Sequence, residues 1–425
     1  MTLTSARLRW GALRRWQWRV WLATRHHCRL ALHPNPAAIG QSYLLTSPKC
    51  LDAPHGTHTR FFALLRMTTG MTDLAALRIK IDAIDDQVLK LICERAHIAL
   101  EVAHVKVPGS PLYRPEREAM ILRRIQAANP GPLSNDSVAR IFREVISNCM
   151  ALEQPLVIAF LGPEGTFSHA AAAKHFGSAP TFEPCPTIDE AFRQVEAKTA
   201  DYAVVPVVNS TEGFVGRTLD LSISSPLKVC AEIDFRVQQN LMSVEATLET
   251  VTQVYSHSQS LAQTAGWLAR HLPSAARVPV ASNAEAARLA SITPGSAAIA
   301  GELAAARYNV PMLFRNIEDS PNNTTRFWVL GRQDVSASGN DKTSLILAAP
   351  NRPGSVVDMI EPLKRHGVSM THFESRPSPD RLWEYYFFLD IQGHTSDTKV
   401  AAALADVKAQ SSYFKVVGSY PAAVL

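Results

Sequence analysis

The stretch LAALRIKIDAIDDQVLKLICERAHIALEVAHVK, residues 74–106, decides the fold of the first structured part of the chain. It contains neither Gly nor Pro, and its apolar residues recur at alternating steps of three and four positions, which is a heptad seam. At ~1.5 Å per residue the predicted helix is roughly 50 Å long. Two shorter helical patterns, at about 115–128 and 135–153, cannot cover a stripe of that length. The pattern therefore predicts a partner chain.

One cation interrupts this seam. Arg95 occupies the seam position between Leu91 and Ile98, and Lys106 lies three turns further on, on nearly the same face. Arg78 projects from a different face of the helix. These cations are either surface residues whose stems lie along the helix, or an anion site inside a helical bundle. In the second case Arg78 reaches into the site of a neighbouring subunit.

The quoted stretch and YRPEREAMILRRI, residues 113–125, resemble the all-helical chorismate mutases over about residues 71–153. The resemblance implies an intertwined helical dimer. Chorismate is a dianion that rearranges without covalent help, so such a site need only clamp two carboxylates, hold a compact conformer and donate to the breaking ether oxygen. The residues that the resemblance places at the substrate are Arg78, Arg95, Lys106, Arg117 and Glu118.

Two further positions of this segment differ among members of the family. Cys149 stands where some members have Ser, and we include it among the substrate-binding residues. Glu153 stands where relatives have either Gln or Glu, and we include it among the catalytic residues. An ionised carboxylate only accepts hydrogen bonds, so Glu153 must be protonated to assist the ether oxygen.

After Pro155 the pattern changes to alternating strands and helices, which predicts an α/β fold. The stretches that carry this pattern are LVIAFL (156–161), GPEGTFS (162–168), TIDE (187–190), YAVVPV (202–207), VTQVYSH (251–257), SNAE (282–285) and AAIAG (297–301). Ligand loops of such folds cluster at the carboxyl ends of the strands. Thr166 and Ser168 offer hydroxyls at a predicted helix N-terminus, which favours an anion.

NNTTRF, residues 322–327, is a polar loop that runs directly into a buried strand. With GPEGTFSHAAA, VVPVVNSTEG and VYSHSQSLAQT it resembles prephenate dehydratase across about residues 155–332. The resemblance implies two α/β lobes around a cleft, similar to periplasmic binding proteins. It places Thr325, Asn209, Ser256 and Gln263 in the active site, and we add Thr166, Ser168, Ser210, Arg326 and Phe327.

Prephenate loses CO₂ and water to become phenylpyruvate, and the gain of aromaticity drives the reaction. The site therefore need only help the ring hydroxyl to leave, and Thr325 is the expected hydrogen-bond donor or general acid. Arg326 is expected to hold a carboxylate. Val208 stands where the family usually has Glu, which puts a carboxylate role at that position in doubt.

Beyond the polar linker SASGNDK (336–342), strands and helices alternate in the order βαββαβ, which predicts a ferredoxin-like half sandwich. NRPGSVVDMIEPLKRHGVSMTHFESRP, residues 351–377, resembles the ACT domain of phenylalanine-controlled dehydratases. The resemblance implies that phenylalanine binds at a dimer interface, although the module could also serve only to dimerise. The residues it assigns to the effector are Gly354, Ser355, Val356, Val357, Glu374, Ser375, Arg376 and Pro377.

Composition excludes several other classes of protein. Residues 1–70 carry ten Lys and Arg against one acid, whereas the other 355 residues carry 33 basic and 37 acidic side chains. The net charge of +5 therefore does not indicate nucleic-acid binding. No run of 18 apolar residues predicts a membrane span. Six widely spaced Cys argue against a zinc site or disulfides and favour the cytoplasm.

The Arg-rich residues 1–70 have three possible explanations: a start codon assigned too far upstream, a transit peptide or a disordered extension. We exclude them from the fold in each case. The remaining chain divides into an all-α chorismate mutase helical dimer domain (71–153), an α/β two-lobed periplasmic-binding-protein-like dehydratase domain (155–332) and an α+β ferredoxin-like ACT domain (341–425). We expect neither a cofactor nor a metal. We expect the chain to form a homodimer or a higher homo-oligomer.

These resemblances together predict a bifunctional chorismate mutase–prephenate dehydratase of phenylalanine biosynthesis, with chorismate and prephenate as substrates and phenylalanine as inhibitor. Two alternatives stay open. One is a dehydratase that prefers arogenate or whose mutase arm only dimerises. The other is a non-catalytic amino-acid sensor with a binding-protein-like cleft.

Overall fold

The computed structural model describes residues 74–106, 111–378 and 384–424. Its first part is helical, with α1 (Leu74–Val105), α2 (Pro115–Ala128) and α3 (Asn135–Ala151). Pro115 opens α2, where its missing N–H has no helical partner to lose. The Ser134 hydroxyl caps α3 by accepting from the Ser137 amide. The three predicted helices are thus confirmed within a few residues.

Helix α1 carries its apolar seam into solvent. Its 32 residues correspond to about 48 Å at ~1.5 Å per residue. Among the residues that the structure describes, none of those in α1 is buried. The exposed seam includes Leu77, Ile84, Leu91 and Ile98. The heptad pattern predicts that this apolar face contacts another helix. In a single copy of the chain the face is uncovered.

The middle of the chain alternates strands and helices, as the sequence predicts. Its strands are β1 (Val157–Leu161), β2 (Thr181–Cys185), β3 (Tyr202–Asn209), β4 (Gly213–Phe214), β5 (Lys228–Arg236), β6 (Asn240–Met242), β7 (Gln253–Ser256), β8 (Ala276–Pro279), β9 (Ser296–Ala300), β10 (Met312–Phe314) and β11 (Thr324–Gly331). Its helices are α4 (Phe167–Phe176), α5 (Ile188–Glu196), α6 (Gly216–Ser224), α7 (Ser258–Gln263), α8 (Ala265–His271), α9 (Asn283–Ile292) and α10 (Glu302–Tyr308), with a short 3₁₀ turn at Leu248–Thr250.

These strands form two sheets, each the centre of one lobe. In the first lobe the order is β2-β1-β3-β11-β5, with β4 beside β3. In the second lobe it is β10-β6-β9-β7-β8. The chain enters the second lobe through residues 237–239 and returns through residues 315–323 into β11, which runs antiparallel to both β3 and β5. Two adjacent crossings therefore join the lobes.

The C-terminal module, residues 341–424, has the element order that the sequence predicts. Its elements are β12 (Asp341–Ala348), α11 (Ser355–Arg365), β13 (Met370–Pro377), β14 (Tyr385–Gln392), α12 (Thr398–Gln410) and β15 (Tyr413–Pro421). They form an antiparallel sheet in the order β13-β14-β12-β15.

The C-terminal module does not stand apart from the first lobe. Phe388 and Tyr420 of its sheet belong to the same buried cluster as Trp328 and Leu330 of β11. The polar linker predicts a separate domain, but the sheet of the C-terminal module and the sheet of the first lobe share one core. In the part of the chain that the structure describes, no helix is long and apolar enough to cross a membrane.

Candidate functional site

Thr325 lies at the start of β11, where the chain returns to the first lobe. In the sheet register it faces Asn209, the last residue of β3. The Asn209 Nδ2 atom donates to Thr325 Oγ1 at 2.8 Å, and both side chains are buried. Two residues that lie 116 positions apart in the sequence are thus brought into direct contact at the junction of the lobes.

The orientation of the Asn209 amide follows from its other partners. Its Oδ1 atom accepts from the backbone amides of Thr211 at 3.0 Å and Glu212 at 3.2 Å. Backbone amides only donate, so the oxygen must face them and the NH₂ group must face Thr325 and Asn323. Thr325 Oγ1 therefore accepts from Asn209, and its own proton stays available for another acceptor. An accepted hydrogen bond also stabilises negative charge on the hydroxyl oxygen, which improves Thr325 as a donor.

A chain of amides carries this contact into the second lobe. Asn323 accepts from Asn209 at 2.8 Å and donates to Gln263 Oε1 at 3.0 Å. Gln239 donates to the same Gln263 oxygen at 3.2 Å and to Ser260 at 2.9 Å. Asn209, Thr325 and Gln263, which the sequence predicts to share one site, thus belong to one hydrogen-bond network.

Ser256 lies at the far end of this network. Asn283 donates to Ser260 at 2.9 Å, and its Oδ1 atom lies 3.0 Å from the Ser256 hydroxyl. Ser256 Oγ also lies 2.7 Å from the carbonyl oxygen of Ile299, and the residue is fully buried. Ser256 thus lies between Asn283 and the backbone of β9, and its single proton can bond only one of these two oxygens at a time. The sequence interpretation missed Asn323, Gln239, Ser260 and Asn283, although Asn323 stands in the NNTTRF motif itself.

Four of the other predicted residues hold the local backbone or lie in the core. Thr166 is the N-cap of α4, where it accepts from His169 N and donates to Leu161 O. Ser210 Oγ accepts from the Thr324 amide at 3.0 Å and so ties the end of β3 to the start of β11. Phe327 is buried and meets Phe235 edge to face at 6.5 Å. Ser168 is buried in the first turn of α4.

Arg326 points away from Thr325, because consecutive side chains of a strand lie on opposite faces of the sheet. Its NH1 atom lies 2.5 Å from Asp390 Oδ2 of the C-terminal module and 3.7 Å from Glu232 of β5. Burial alone would lower the pKa of Arg326, but Asp390 and Glu232 raise it overall. The expectation that Arg326 holds a prephenate carboxylate is therefore corrected, since its guanidinium is buried and paired with protein carboxylates.

The same alternation bears on Val208. Val208 pairs with Arg326 in the register of β3 and β11, one position before Asn209. A side chain at this position lies on the Arg326 face of the strand and not on the Thr325 face. A glutamate at position 208 would therefore not face Thr325.

A second candidate site lies among the three N-terminal helices, in a cavity of about 760 Å³. Its lining includes the predicted residues Arg95, Lys106, Arg117, Glu118, Cys149 and Glu153. Arg78 is not among the lining residues, and 17 residues of helix place it about 25 Å from Arg95 along α1. The cavity of one copy therefore lacks this one predicted cation.

Two carboxylates of the cavity are already paired with cations. Glu153 accepts from Lys106 Nζ at 2.8 and 3.2 Å. Glu118 accepts from Arg143 Nε at 3.0 Å, with both side chains buried. Burial raises the pKa of Glu118, and Arg143 opposes this shift only in part. Arg95 and Arg117 thus face the cavity as cations with no ion pair within the described residues.

The predicted effector residues lie on two elements of the C-terminal module. Gly354 precedes α11 with a φ of +80°, and a Cβ there would meet nothing within 4 Å. The other stretch belongs to β13, an edge strand of the sheet. Arg376 of β13 donates to Asp220 of α6 at 3.0 and 3.1 Å, so it binds the first lobe. Ser355 is buried, whereas Val357 and Ser375 are exposed and Glu374 is half-buried.

Among the residues that the structure describes, no group of three or more His, Cys, Asp and Glu is placed to hold a metal ion. The chemistry that both sites offer consists of hydrogen-bond donors, acceptors and fixed charges.

Sequence comparisons match three known families in order along the chain. Chorismate mutase type II matches residues 77–154, prephenate dehydratase residues 158–335 and the ACT domain residues 343–409. The bifunctional chorismate mutase/prephenate dehydratase of Neisseria gonorrhoeae is 52% identical over 351 residues, which cover 82% of this chain and 97% of that protein. The protein of the same description from Pseudomonas aeruginosa is 46% identical over 359 residues, covering 83% and 98%.

Among solved structures, the chain is similar to prephenate dehydratase from Arthrobacter aurescens in complex with L-Phe. The TM-score is 0.58 at 33% identity, and the match covers 63% of this chain and 90% of that one.

Proposed function

The chain belongs to the family of bifunctional chorismate mutase/prephenate dehydratases, and on that premise we propose how its side chains carry out the two reactions. The enzyme converts chorismate to prephenate and prephenate to phenylpyruvate. Neither step needs a covalent intermediate, so positioning and fixed charge supply the catalysis in both sites.

In the dehydratase site Thr325 is the donor to the leaving hydroxyl. As the bond from the ring to the carboxylate breaks, its electron pair enters the ring, CO₂ departs and the hydroxyl leaves from the opposite carbon. The Thr325 proton hydrogen-bonds that departing oxygen, and the bond from Asn209 stabilises the charge that develops on Oγ1. The observation that carries this proposal is the fixed orientation of the Asn209 amide, which makes Thr325 Oγ1 an acceptor; among the described residues the Thr325 proton has no acceptor.

Thr325→Val removes the donor and keeps the shape of the side chain. We expect loss of dehydratase turnover by at least ~10²-fold, typical of removing acid catalysis. Thr325→Ser keeps the hydroxyl and should retain much more activity. The neighbouring Thr324→Val is the matched control, since Thr324 is engaged through its backbone amide. Equal losses at 324 and 325 would contradict the donor role.

In the mutase site the substrate carboxylates bind Arg95 and Arg117, and Lys106 orients Glu153. Arg78 completes the site from a second copy of the chain, whose α1 covers the exposed apolar seam. Support comes from the long, uncovered seam and from the distance of Arg78 to its own cavity. The chain is thus a homodimer in this proposal.

Mixing two inactive variants tests the shared site. Arg78→Ala and Arg117→Ala should each lose mutase activity as homodimers. In mixed dimers one site carries both defects and the other carries none, so random exchange of subunits should restore about a quarter of the wild-type sites. No recovery in a verified mixed dimer would show that Arg78 does not act in the partner's site.

Phenylalanine is the effector that we propose for the ACT domain, and it inhibits the dehydratase. The structure from Arthrobacter aurescens with L-Phe supports this, as does the open backbone at Gly354. The contacts of Arg376 with Asp220 and of Asp390 with Arg326 connect this domain to the catalytic lobe. Free cysteines at the described positions 93, 149, 185 and 230 fit a reducing compartment, and we place the enzyme in the cytoplasm.

A further inference from the structure

Asn323 is a buried amide at the crossing between the two lobes of the dehydratase. It is 2% exposed and lies two residues before Thr325. Its carbonyl oxygen in the backbone accepts from the Val237 amide at 2.8 Å, so it also ties together the two chain crossings. Asn323 therefore lies in one of the two chain segments that connect the lobes and is bonded to the other.

The side chain of Asn323 bonds to both lobes at once. Its Oδ1 atom accepts from Asn209 Nδ2 at 2.8 Å in the first lobe. Its Nδ2 atom donates to Gln263 Oε1 at 3.0 Å in the second lobe. We propose that Asn323 is a positioning residue of the dehydratase reaction, which orients Asn209 toward Thr325 and Gln263 toward the same site. This inference rests on the proposed role of Thr325 as donor.

The geometry of a primary amide explains how Asn323 acts on Thr325. The two hydrogens of Asn209 Nδ2 lie in one plane and point in different directions. When Asn323 accepts one of them, the other is directed at Thr325 Oγ1, which lies 2.8 Å away. Thr211 and Glu212 hold the opposite end of the same amide, so the loss of Asn323 loosens Asn209 without releasing it.

The second contact of Asn323 explains the position of Gln263. Gln263 Oε1 accepts from both Asn323 and Gln239, which fixes the plane of its amide. Its Nε2 atom is buried and has no hydrogen-bond partner within the described residues. A buried donor without a partner is costly unless a ligand uses it. Asn323 therefore holds an unused donor of the second lobe in a fixed direction.

Only an amide can supply both contacts from position 323. An aspartate keeps the acceptor for Asn209 and loses the donor to Gln263, whereas a leucine of similar shape loses both. The adjacent Asn322 is exposed and provides a matched control, because the same substitutions there change no contact of this network.

The test compares Asn323→Leu, Asn323→Asp and Asn322→Leu in the full chain, with mutase activity of each sample as the measure of folding. Asn323→Leu should lower dehydratase kcat by roughly 10-fold, less than the ~10²-fold expected for a lost acid. Asn323→Asp should keep more of kcat but raise KM, since it places a charge near a dianionic substrate. Asn322→Leu should leave both parameters unchanged.

A double variant separates positioning from a general structural role. If Asn323 acts partly through Thr325, then Asn323→Leu should cost less when it is added to Thr325→Val than it costs alone, because residues that act as a unit are not additive. Full additivity, or a normal kcat for Asn323→Leu, overturns the inference. If Thr325→Val itself retains activity, the donor proposal fails instead, and the two failures are distinguishable.

Discussion

Asp390→Asn should loosen the ACT domain from the catalytic lobe by removing one charge from a buried ion pair. Arg326 NH1 and Asp390 Oδ2 lie 2.5 Å apart, and each side chain is 5% exposed. Ser344 also donates to Asp390 at 2.5 Å, so the carboxylate is well bonded. Asparagine keeps the size of the side chain but leaves the Arg326 charge with a single remaining carboxylate.

The magnitude follows from the geometry of the cluster. Charge centres about 4 Å apart attract by about 4 kcal/mol at an effective dielectric constant near 20. Removal of one partner from a buried pair costs about 3–5 kcal/mol, because the other charge stays buried. Glu232 lies 3.7 Å from Arg326 and 2.6 Å from Lys342, so it still compensates part of the Arg326 charge, and we expect a cost at the lower end of this range, about 3 kcal/mol. A loss of ~1 kcal/mol in the free energy of unfolding lowers Tm by about 2–4 °C in a domain of about 150–250 residues, so the expected shift is about 6–12 °C.

Differential scanning calorimetry of the full chain measures this shift. The control is Asp220→Asn, which breaks the Arg376–Asp220 pair, where the side chains are 30% and 32% exposed. A more exposed pair contributes about 0–1 kcal/mol, so its loss should lower Tm by a few degrees at most. If Asp390→Asn lowers Tm no more than Asp220→Asn does, then desolvation cancels the buried pair and it does not stabilise the docking.

Two other predictions concern His175 of α4 and Glu374 of β13. Burial, with Arg143 and Lys174, holds the pKa of His175 well below 6.5 in the folded chain. As pH falls, His175 of the unfolded chain takes up a proton before His175 of the folded chain does, so the free energy of unfolding should fall below about pH 6.5, by at most ~1.4 kcal/mol per pH unit. The fall should be less steep in His175→Gln. Urea titrations at pH 7.5 and 5.5 measure this difference. Glu374→Ala should weaken phenylalanine inhibition without changing uninhibited dehydratase turnover, and unchanged inhibition curves would place the effector elsewhere.

The parts of the fold that local patterns encode were predictable. The helix α1 and the alternation of strands and helices depend on neighbours a few residues apart, and both are confirmed. The partner chain that the heptad seam predicts stays a prediction. The side-chain direction of Arg326 was equally local, since strand alternation separates it from Thr325, but the family motif drew both residues into one site. That prediction was wrong for a reason that the sequence itself contains.

Contacts between distant segments were not predictable from the sequence. The sequence around Glu118 does not indicate that Arg143 is its partner, and the sequence around Asp390 does not indicate Arg326. The polar linker before the ACT domain likewise hides the core that Tyr420 and Trp328 share. Asn323 was visible in the motif, but its importance depends on Asn209 and Gln263, which only the folded lobes bring within reach.

The most direct test of the whole account feeds chorismate to the purified chain and follows prephenate and phenylpyruvate together. The wild type should form prephenate and convert it onward to phenylpyruvate. Thr325→Val should form prephenate at the wild-type rate and accumulate it, with phenylpyruvate formation slowed at least ~10²-fold. Phenylpyruvate at a near-normal rate from Thr325→Val, or the absence of both products from the wild type, would contradict the account.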